Sequence, residues 1–145
     1  MQDLLLEFLS HYGLSEVSGP KSNPEIIAMG EDLGYDVEDD STTAWCSLAM
    51  NYYAKKCGYE YTNSLLARSW LKMPIVVLKP TLGDIVVFSR NTMGVVQNWQ
   101  GHVGLFINWN ADYIWSLGGN QSNGINITPY LRSRLLGFRQ LKKRQ

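Results

Sequence analysis

The sequence predicts a single α+β domain, with helices in the first part of the chain and an antiparallel sheet in the second. Apolar residues recur at helical spacing up to about residue 72, whereas β-branched and aromatic runs bounded by turn residues occupy about 75–141. A chain of 145 residues is long enough to bury one core without disulfides or metal. We therefore expect one domain over residues 1–145, with helices packed on about four to six strands.

The first two helices are predicted from the residues at their ends. Residues 2–12 place leucines and Phe8 on one face, and Gly13 ends the segment. Asn23 provides a cap, Pro24 suits the first turn, and Gly34 provides a stop. These signals predict a second helix over residues 24–33.

A third predicted helix carries Cys46 in its first turn and ends at Gly58. Thr42 or Thr43 can cap it, and the apolar residues that follow at helical spacing are Trp45, Leu48, Ala49, Tyr52 and Tyr53. Unpaired N–H groups and the helix dipole favour a thiolate at this position. Cys57 lies about 16 Å further along the same predicted helix, so the two cysteines cannot form a disulfide.

After a fourth predicted helix over 64–71, the sequence period changes from helical to extended. The polar segments 89–101 and 118–124 are expected to be loops. Strands are expected at 75–78, 85–88, 102–107, 113–117, 125–127 and 135–139.

The strands on either side of residue 111 form a predicted hairpin that brings two polar residues together. Antiparallel pairing about this centre places His102 opposite Asn120, with side chains about 5 Å apart. A bulge or a shift of one residue would break this pairing.

Cys46, His102 and Asn120 are the residue types of a cysteine acyl-transfer site. The histidine would take the thiol proton and later return a proton to the leaving amine, and the asparagine would orient the ring. The backbone N–H of Cys46 would stabilise the oxyanion. A buried structural cysteine and a hydrogen-bonded core histidine are the alternative interpretation.

Other residues have candidate roles of lower specificity. Substrate contacts are assigned to Trp45, Ser47, Trp99 and Gln121, although the tryptophans suit the core equally well. Asp84 suits a turn or cap better than catalysis, and His11 suits a helix end. The acidic segment 36–40 lacks the ligand pattern of a calcium loop and is expected to be solvated, although it could meet an amine-bearing substrate.

The amino-acid composition limits the classes of binding partner that we expect. Thirteen basic and thirteen acidic residues cancel, so no overall field favours nucleic acid. No segment approaches the roughly 20 apolar residues of a membrane span, and the N-terminus lacks the features of a signal peptide. The two cysteines and two histidines are not spaced along the sequence as metal ligands are, so no metal site is predicted. No cofactor is expected. We expect synthesis in the cytoplasm and export by another route.

The segments "WCS", "ARSWL", "GDIVVF", "GHVGLFI", "LGGNQSN" and "LLGFR", in this order, resemble the NlpC-like and CHAP-type cysteine peptidoglycan hydrolases. The resemblance covers about residues 23–139 and is closest to the small phage-type members. It implies a papain-like core, with Cys46 as nucleophile, His102 as base and Asn120 as orienting residue. Gln121 or Asn123 could replace Asn120. Many members of the family have proline where this chain has Ala44, and many have proline directly before the Gly-Asp pair, whereas Pro80 lies three residues before Gly83. Neither difference changes the three candidate catalytic residues.

The resemblance implies cleavage of an amide bond in cell-wall peptides, by an endopeptidase or an amidase. A phage lysin that crosses the membrane with a holin is the first expectation for its context, and a monomer is expected. An interbacterial toxin delivered by a secretion machine, or a catalytically silent wall-binding phage component, are the alternatives. The enzymatic interpretation requires the Cys46 sulfur to lie within reach of the His102 ring.

Overall fold

Six antiparallel strands form one sheet in the computed structural model, which describes residues 1–17, 23–35, 45–92 and 95–145 except for the side chains of 91, 92 and 95–99. The strands are β1 (Ile75–Val77), β2 (Ile85–Thr92), β3 (Val95–Trp109), β4 (Tyr113–Gln121), β5 (Gly124–Leu131) and β6 (Leu135–Gln140), in the order β1-β6-β2-β3-β4-β5. In the described part of the chain, three α-helices precede the sheet: α1 (Gln2–Ser10), α2 (Pro24–Leu33) and α3 (Cys46–Lys56). The predicted α+β class with an antiparallel sheet is therefore confirmed.

The ends of α2 are as predicted. The Asn23 side chain accepts a hydrogen bond from the N–H of Glu25 at 2.9 Å, and Gly34 adopts a left-handed conformation with φ of 84°. Helix α1 ends at Ser10, two residues before the predicted end.

Helix α3 begins directly at Cys46, with Trp45 as its N-cap and no capping hydrogen bond from a side chain. The predicted caps, Thr42 and Thr43, lie outside the described residues. Cys46 is in the first turn, as predicted, and is its first residue.

The α-helix predicted over 64–71 is wrong, because the chain forms only a 3₁₀ helix over Ala67–Lys72. The carbonyl oxygen of Ser64 accepts hydrogen bonds from Ser47 Oγ at 2.6 Å and from Asn51 Nδ2 at 3.0 Å. Side chains of α3 thus use the carbonyl that would begin the predicted helix, which favours a loop packed on α3 instead.

The loop predicted over 89–101 is also wrong, because β2 and β3 continue through it as an extended hairpin. Ser89 pairs with Gly101, and Thr92 pairs with Val95 after an irregularity in the register. Backbone pairing defines this hairpin, whereas the prediction of a loop relied on the many polar residues of the segment. Likewise, part of the predicted loop at 118–124 is the end of β4.

Apolar residues cover both faces of the sheet, and the helices cover one of them. The core beneath the helices combines strand residues with helical ones, including Val87, Val103, Leu105, Leu117, Trp45, Leu48 and Met50. The opposite face carries a second cluster formed by Val86, Phe88, Phe106, Ile114 and Phe138. No helix in the described part of the chain is long and apolar enough to cross a membrane.

Candidate active site

Cys46 lies at the inner end of a cleft between the 3₁₀ helix and the β2–β3 hairpin. The cleft has a volume of about 210 Å³, and among the described residues it is lined by Cys46, Leu65, Leu66, Ala67, Arg90, Gln100 and Gly101. Only 3% of the Cys46 surface is exposed. Cys46 therefore borders the cleft with only a small part of its surface.

The thiol of Cys46 is neutral at rest. Burial raises its pKa above the ordinary value, although the N–H of Val103, the charge of Arg90 and the N–H of Ser47 act in the opposite direction. The expectation that the helix start favours a thiolate is therefore outweighed by desolvation.

His102 is fully buried on β3 and lies against aromatic rings. Its ring stacks on that of Tyr130, with centroids 4.8 Å apart, and Phe88 is its partner across β2 and β3. Burial lowers the pKa of His102 to about 4, and the charges of Arg90 and Arg134 act in the same direction. The imidazole is therefore neutral near pH 7.

Gln121 holds the His102 ring. The Nε2 atom of His102 and the Oε1 atom of Gln121 are 2.9 Å apart. The Gln121 amide nitrogen donates to the carbonyl oxygens of Ser116 at 3.0 Å and Asn126 at 2.6 Å, so its oxygen must be the atom that faces the ring. We therefore assign the histidine proton to Nε2. Nδ1 then carries a lone pair, and no described residue forms a hydrogen bond with it.

The contact predicted between His102 and Asn120 is wrong by one residue. Leu105 pairs with Leu117 and Phe106 with Ser116, which is the predicted register. The pairs nearer the turn are offset by one residue, and a bulge between Phe106 and Asn108 produces the predicted register. The register of β4 against β5 then shifts between Gly118 and Gln121, and Asn120 has a positive φ of 56°. This bulge turns Gln121 toward His102.

A sequence signal for this bulge exists. Asn120, Ser122 and Asn123 all adopt positive φ, and asparagine tolerates the left-handed region better than most residues. Two asparagines after a pair of glycines therefore indicated an irregular backbone where the prediction assumed regular pairing.

The structure brings Cys46 to the backbone beside His102 without joining the two side chains. The sulfur interacts with the N–H of Val103, the residue that follows His102. Val103 belongs to the core under the helices, whereas His102 stacks on Tyr130 among residues of the other face. The thiol of Cys46 forms no hydrogen bond with either nitrogen of the His102 ring. The expected contact between sulfur and ring is not formed in this state.

The substrate contacts predicted for Trp45 and Ser47 find no support, because both residues are fully buried. Trp45 packs so tightly on Gly119 that a Cβ at that glycine would lie 2.7 Å from its ring. Ser47 accepts a hydrogen bond from Trp70 Nε1 at 3.0 Å as well as donating to Ser64. Gln121 is buried against His102, which assigns it a positioning role, and the side chain of Trp99 lies outside the described atoms.

The remaining candidates have structural surroundings. The Asp84 carboxylate accepts hydrogen bonds from the N–H of Thr81 at 2.8 Å and from Gln140 Nε2 at 3.1 Å, which confirms its predicted capping role. His11 is the C-cap of α1 and stacks on Tyr53. The acidic segment 36–40 lies outside the described residues. Within the described ranges, no three His, Cys, Asp or Glu side chains are grouped to hold a metal ion.

No protein-family model matches the chain, and no curated protein sequence is significantly similar to it. The family resemblance therefore depends on the ordered sequence motifs, and the geometry around Cys46 and His102 is the independent observation beside them.

Proposed function

We propose that this protein is a cysteine hydrolase with a papain-like core that cleaves an amide bond in bacterial peptidoglycan. The observation that carries the proposal is the fixed orientation of the His102 ring. Gln121 binds its Nε2–H, and its Nδ1, which has no hydrogen-bond partner among the described residues, can act as a base. The Cys46 sulfur contacts the N–H of Val103, the next residue on the strand. Cys46 is also one of the residues that line the cleft.

The proposed reaction starts from a neutral thiol and a neutral imidazole. The S–H proton moves to Nδ1 of His102 as the sulfur attacks the carbonyl carbon of the amide. Nδ1–H then protonates the nitrogen of the leaving amine, and the C–N bond breaks to leave a thioester on Cys46. Water, deprotonated by His102, hydrolyses the thioester and restores the thiol. A neutral pair is sufficient, because general-base catalysis transfers the proton during the attack.

Substrate binding must bring the ring and the sulfur together in this reaction. Hydrogen bonds between catalytic groups are often long or poorly aligned in a free enzyme and shorten only when substrate is bound. No described hydrogen-bond partner has to be displaced from Nδ1. The ring lies among residues of the sheet face opposite the core that contains Cys46, so the ring or its strand must turn before the proton can be transferred.

A catalytically silent wall-binding protein is the second candidate, and one observation favours it. The resting thiol has a raised pKa, the histidine has a lowered pKa, and no hydrogen bond joins them. A buried structural cysteine and a core histidine would show the same features.

Digestion of purified cell walls separates the two candidates. We expect the protein to release soluble muropeptides with new amino groups, which mass spectrometry identifies together with the bond that is cut. Cys46→Ala should abolish the release, and Cys57→Ser, the matched control at the other thiol, should retain it. A folded Cys46→Ala variant that works at the wild-type rate contradicts the mechanism. Wall binding without any release of fragments supports the silent protein.

A further inference from the structure

Arg90 stands out among the residues that line the Cys46 cleft. Three neighbours in the cleft are apolar, namely Leu65, Leu66 and Ala67, and the rest of the described lining contributes neutral groups. Arg90 is half-buried at the same opening, so its charge is only partly solvated. The described part of the cleft is therefore apolar with a single cationic side chain.

Other arginines near the cleft use their guanidinium groups to hold the fold. Arg68 donates to the carbonyl oxygen of Gln100 at 2.6 Å, and Arg134 donates to that of Ser89 at 2.8 Å. Arg139 donates to the carbonyl oxygen of Leu71 at 3.0 Å. Arg90 makes no comparable hydrogen bond to any described residue.

Arg90 also has no acidic partner among the described residues. The described ion pairs between lysines and carboxylates lie elsewhere, at Lys55–Asp32, Lys56–Glu7 and Lys143–Asp3. A guanidinium has five N–H donors in a planar fork that matches a carboxylate. A partly desolvated guanidinium that has no acidic partner in the described part of the chain gains more from such a ligand than an exposed one does.

We propose that Arg90 binds a carboxylate of the substrate, and that the cleft selects peptides with a free carboxylate close to the amide that Cys46 attacks. This inference rests on the proposed function for the identity of the attacked bond. Peptidoglycan stem peptides carry free carboxylates, and some bacteria convert them to carboxamides. Arg90 thus becomes a specificity residue that distinguishes these two chemical forms.

Binding to a variant that cannot turn over substrate tests the inference. The probes are a synthetic L-Ala-γ-D-Glu-L-Lys-D-Ala peptide and the same peptide with its carboxylates amidated, and calorimetry with Cys46→Ala measures both affinities. We expect the charged peptide to bind roughly ten- to a hundredfold more tightly, because a hydrogen-bonded charge contributes on this scale. Adding Arg90→Gln should remove the preference, and Arg90→Lys should retain part of it.

Arg132→Gln is the matched control for the loss of one positive charge. Arg132 is half-buried like Arg90 but lies over the ring of Trp109, outside the Cys46 cleft. We expect the preference for the charged peptide to survive this substitution. Thermal unfolding of each variant verifies that the binding proteins are folded.

The outcomes separate this inference from the proposed function. Three results would overturn the role of Arg90. They are equal affinity for the two peptides, no binding of either peptide, and a preference for the charged peptide that survives Arg90→Gln. If cell walls are cut but the preference does not depend on Arg90, only this inference fails. If the preference depends on Arg90 but Cys46 supports no hydrolysis, the anion site stands and the proposed function fails.

Discussion

The Nε2 atom of His102 lies 2.9 Å from the Oε1 atom of Gln121, and both side chains are shielded from solvent. Because the Gln121 amide nitrogen is used by two backbone carbonyl groups, the oxygen cannot exchange places with it without losing both hydrogen bonds. One amide side chain therefore determines which nitrogen of the histidine carries the proton.

Replacing Gln121 with alanine should impair both stability and activity. The substitution leaves a buried N–H of His102 without an acceptor, which costs about 1–3 kcal/mol of unfolding free energy. We also expect the rate of muropeptide release to fall at least about tenfold, because the ring loses its orientation. Urea denaturation and a cell-wall digestion assay measure the two effects.

Asn120→Gly is the matched control for this prediction. It removes the neighbouring amide side chain and preserves the positive φ of 56°, which glycine adopts readily. We expect little loss of activity. A larger loss from Asn120→Gly than from Gln121→Ala would return the orienting role to Asn120.

Gln121→Glu tests the same contact without an activity assay. A carboxylate at this position should raise the pKa of His102, since an opposite charge favours the imidazolium. A pH titration followed by NMR measures the pKa of His102, and His11, the other of the two histidines, serves as the internal reference. An unchanged titration of His102 would mean that the two side chains are not in contact in solution.

The stability of the fold should fall as the pH decreases below neutrality. Burial lowers the pKa of His102 from 6.5 to about 4, so the unfolded chain binds a proton between these values that the folded protein does not. Above pH 6.5 the titration of His102 costs the folded state no stability. The loss of unfolding free energy grows as the pH falls from 6.5 to 4 and is constant below pH 4. Its size is on the order of 3 kcal/mol.

His102→Gln isolates this contribution. Denaturation free energies measured at several pH values should depend less steeply on pH in the variant over the window from 6.5 to 4. The carboxylates are common to both proteins, so their titration cancels in the comparison. Parallel curves would show that His102 is accessible to protons in the folded state.

Local signals predicted much of the fold, because they act within a few residues. The cap at Asn23 and the stop at Gly34 specify α2 without reference to the rest of the chain. The turn near residue 111 was likewise predicted from its own residues, although a bulge between Phe106 and Asn108 sets the register of Leu105 against Leu117. These features depend on backbone preferences that neighbouring residues determine.

The features that were missed depend on contacts between distant segments. The carbonyl of Ser64 is used by side chains of α3, so an α-helix does not form there. The chemistry at Cys46 and His102 depends on how deeply each is buried, and periodicity does not report burial in three dimensions. The position of Cys46 in the first turn of α3 was therefore predictable, whereas the contact of His102 with Gln121 and the protonation states of the two side chains were not.

Replacing Asp84 with alanine should destabilise the fold without affecting catalysis. The substitution removes acceptors for Thr81 and Gln140 at the start of β2, which costs about 1–3 kcal/mol of unfolding free energy. Asp112→Ala, at an exposed turn, is the control and should change the free energy by less than about 0.5 kcal/mol. A folded Asp84→Ala variant that loses wall cleavage but keeps its stability would contradict the capping role.

Cys46 should react slowly with a thiol-directed reagent in the free protein. Its pKa is raised by burial, so little thiolate is present at neutral pH, and only 3% of the residue is exposed. In a Cys57→Ser background, we expect iodoacetamide to label Cys46 at least about tenfold more slowly than a free cysteine peptide. The same protein unfolded in urea should react at the rate of the peptide.

Arg90→Gln should make this labelling slower still, because the positive charge of Arg90 lowers the pKa of the Cys46 thiol. Labelling faster than that of the free peptide would instead show a thiolate stabilised at the start of α3 and would contradict the neutral resting pair. Slow labelling alone also fits a silent protein. If one preparation shows both slow labelling and wall cleavage that requires Cys46, then Cys46 is a nucleophile that loses its proton only as it attacks the substrate.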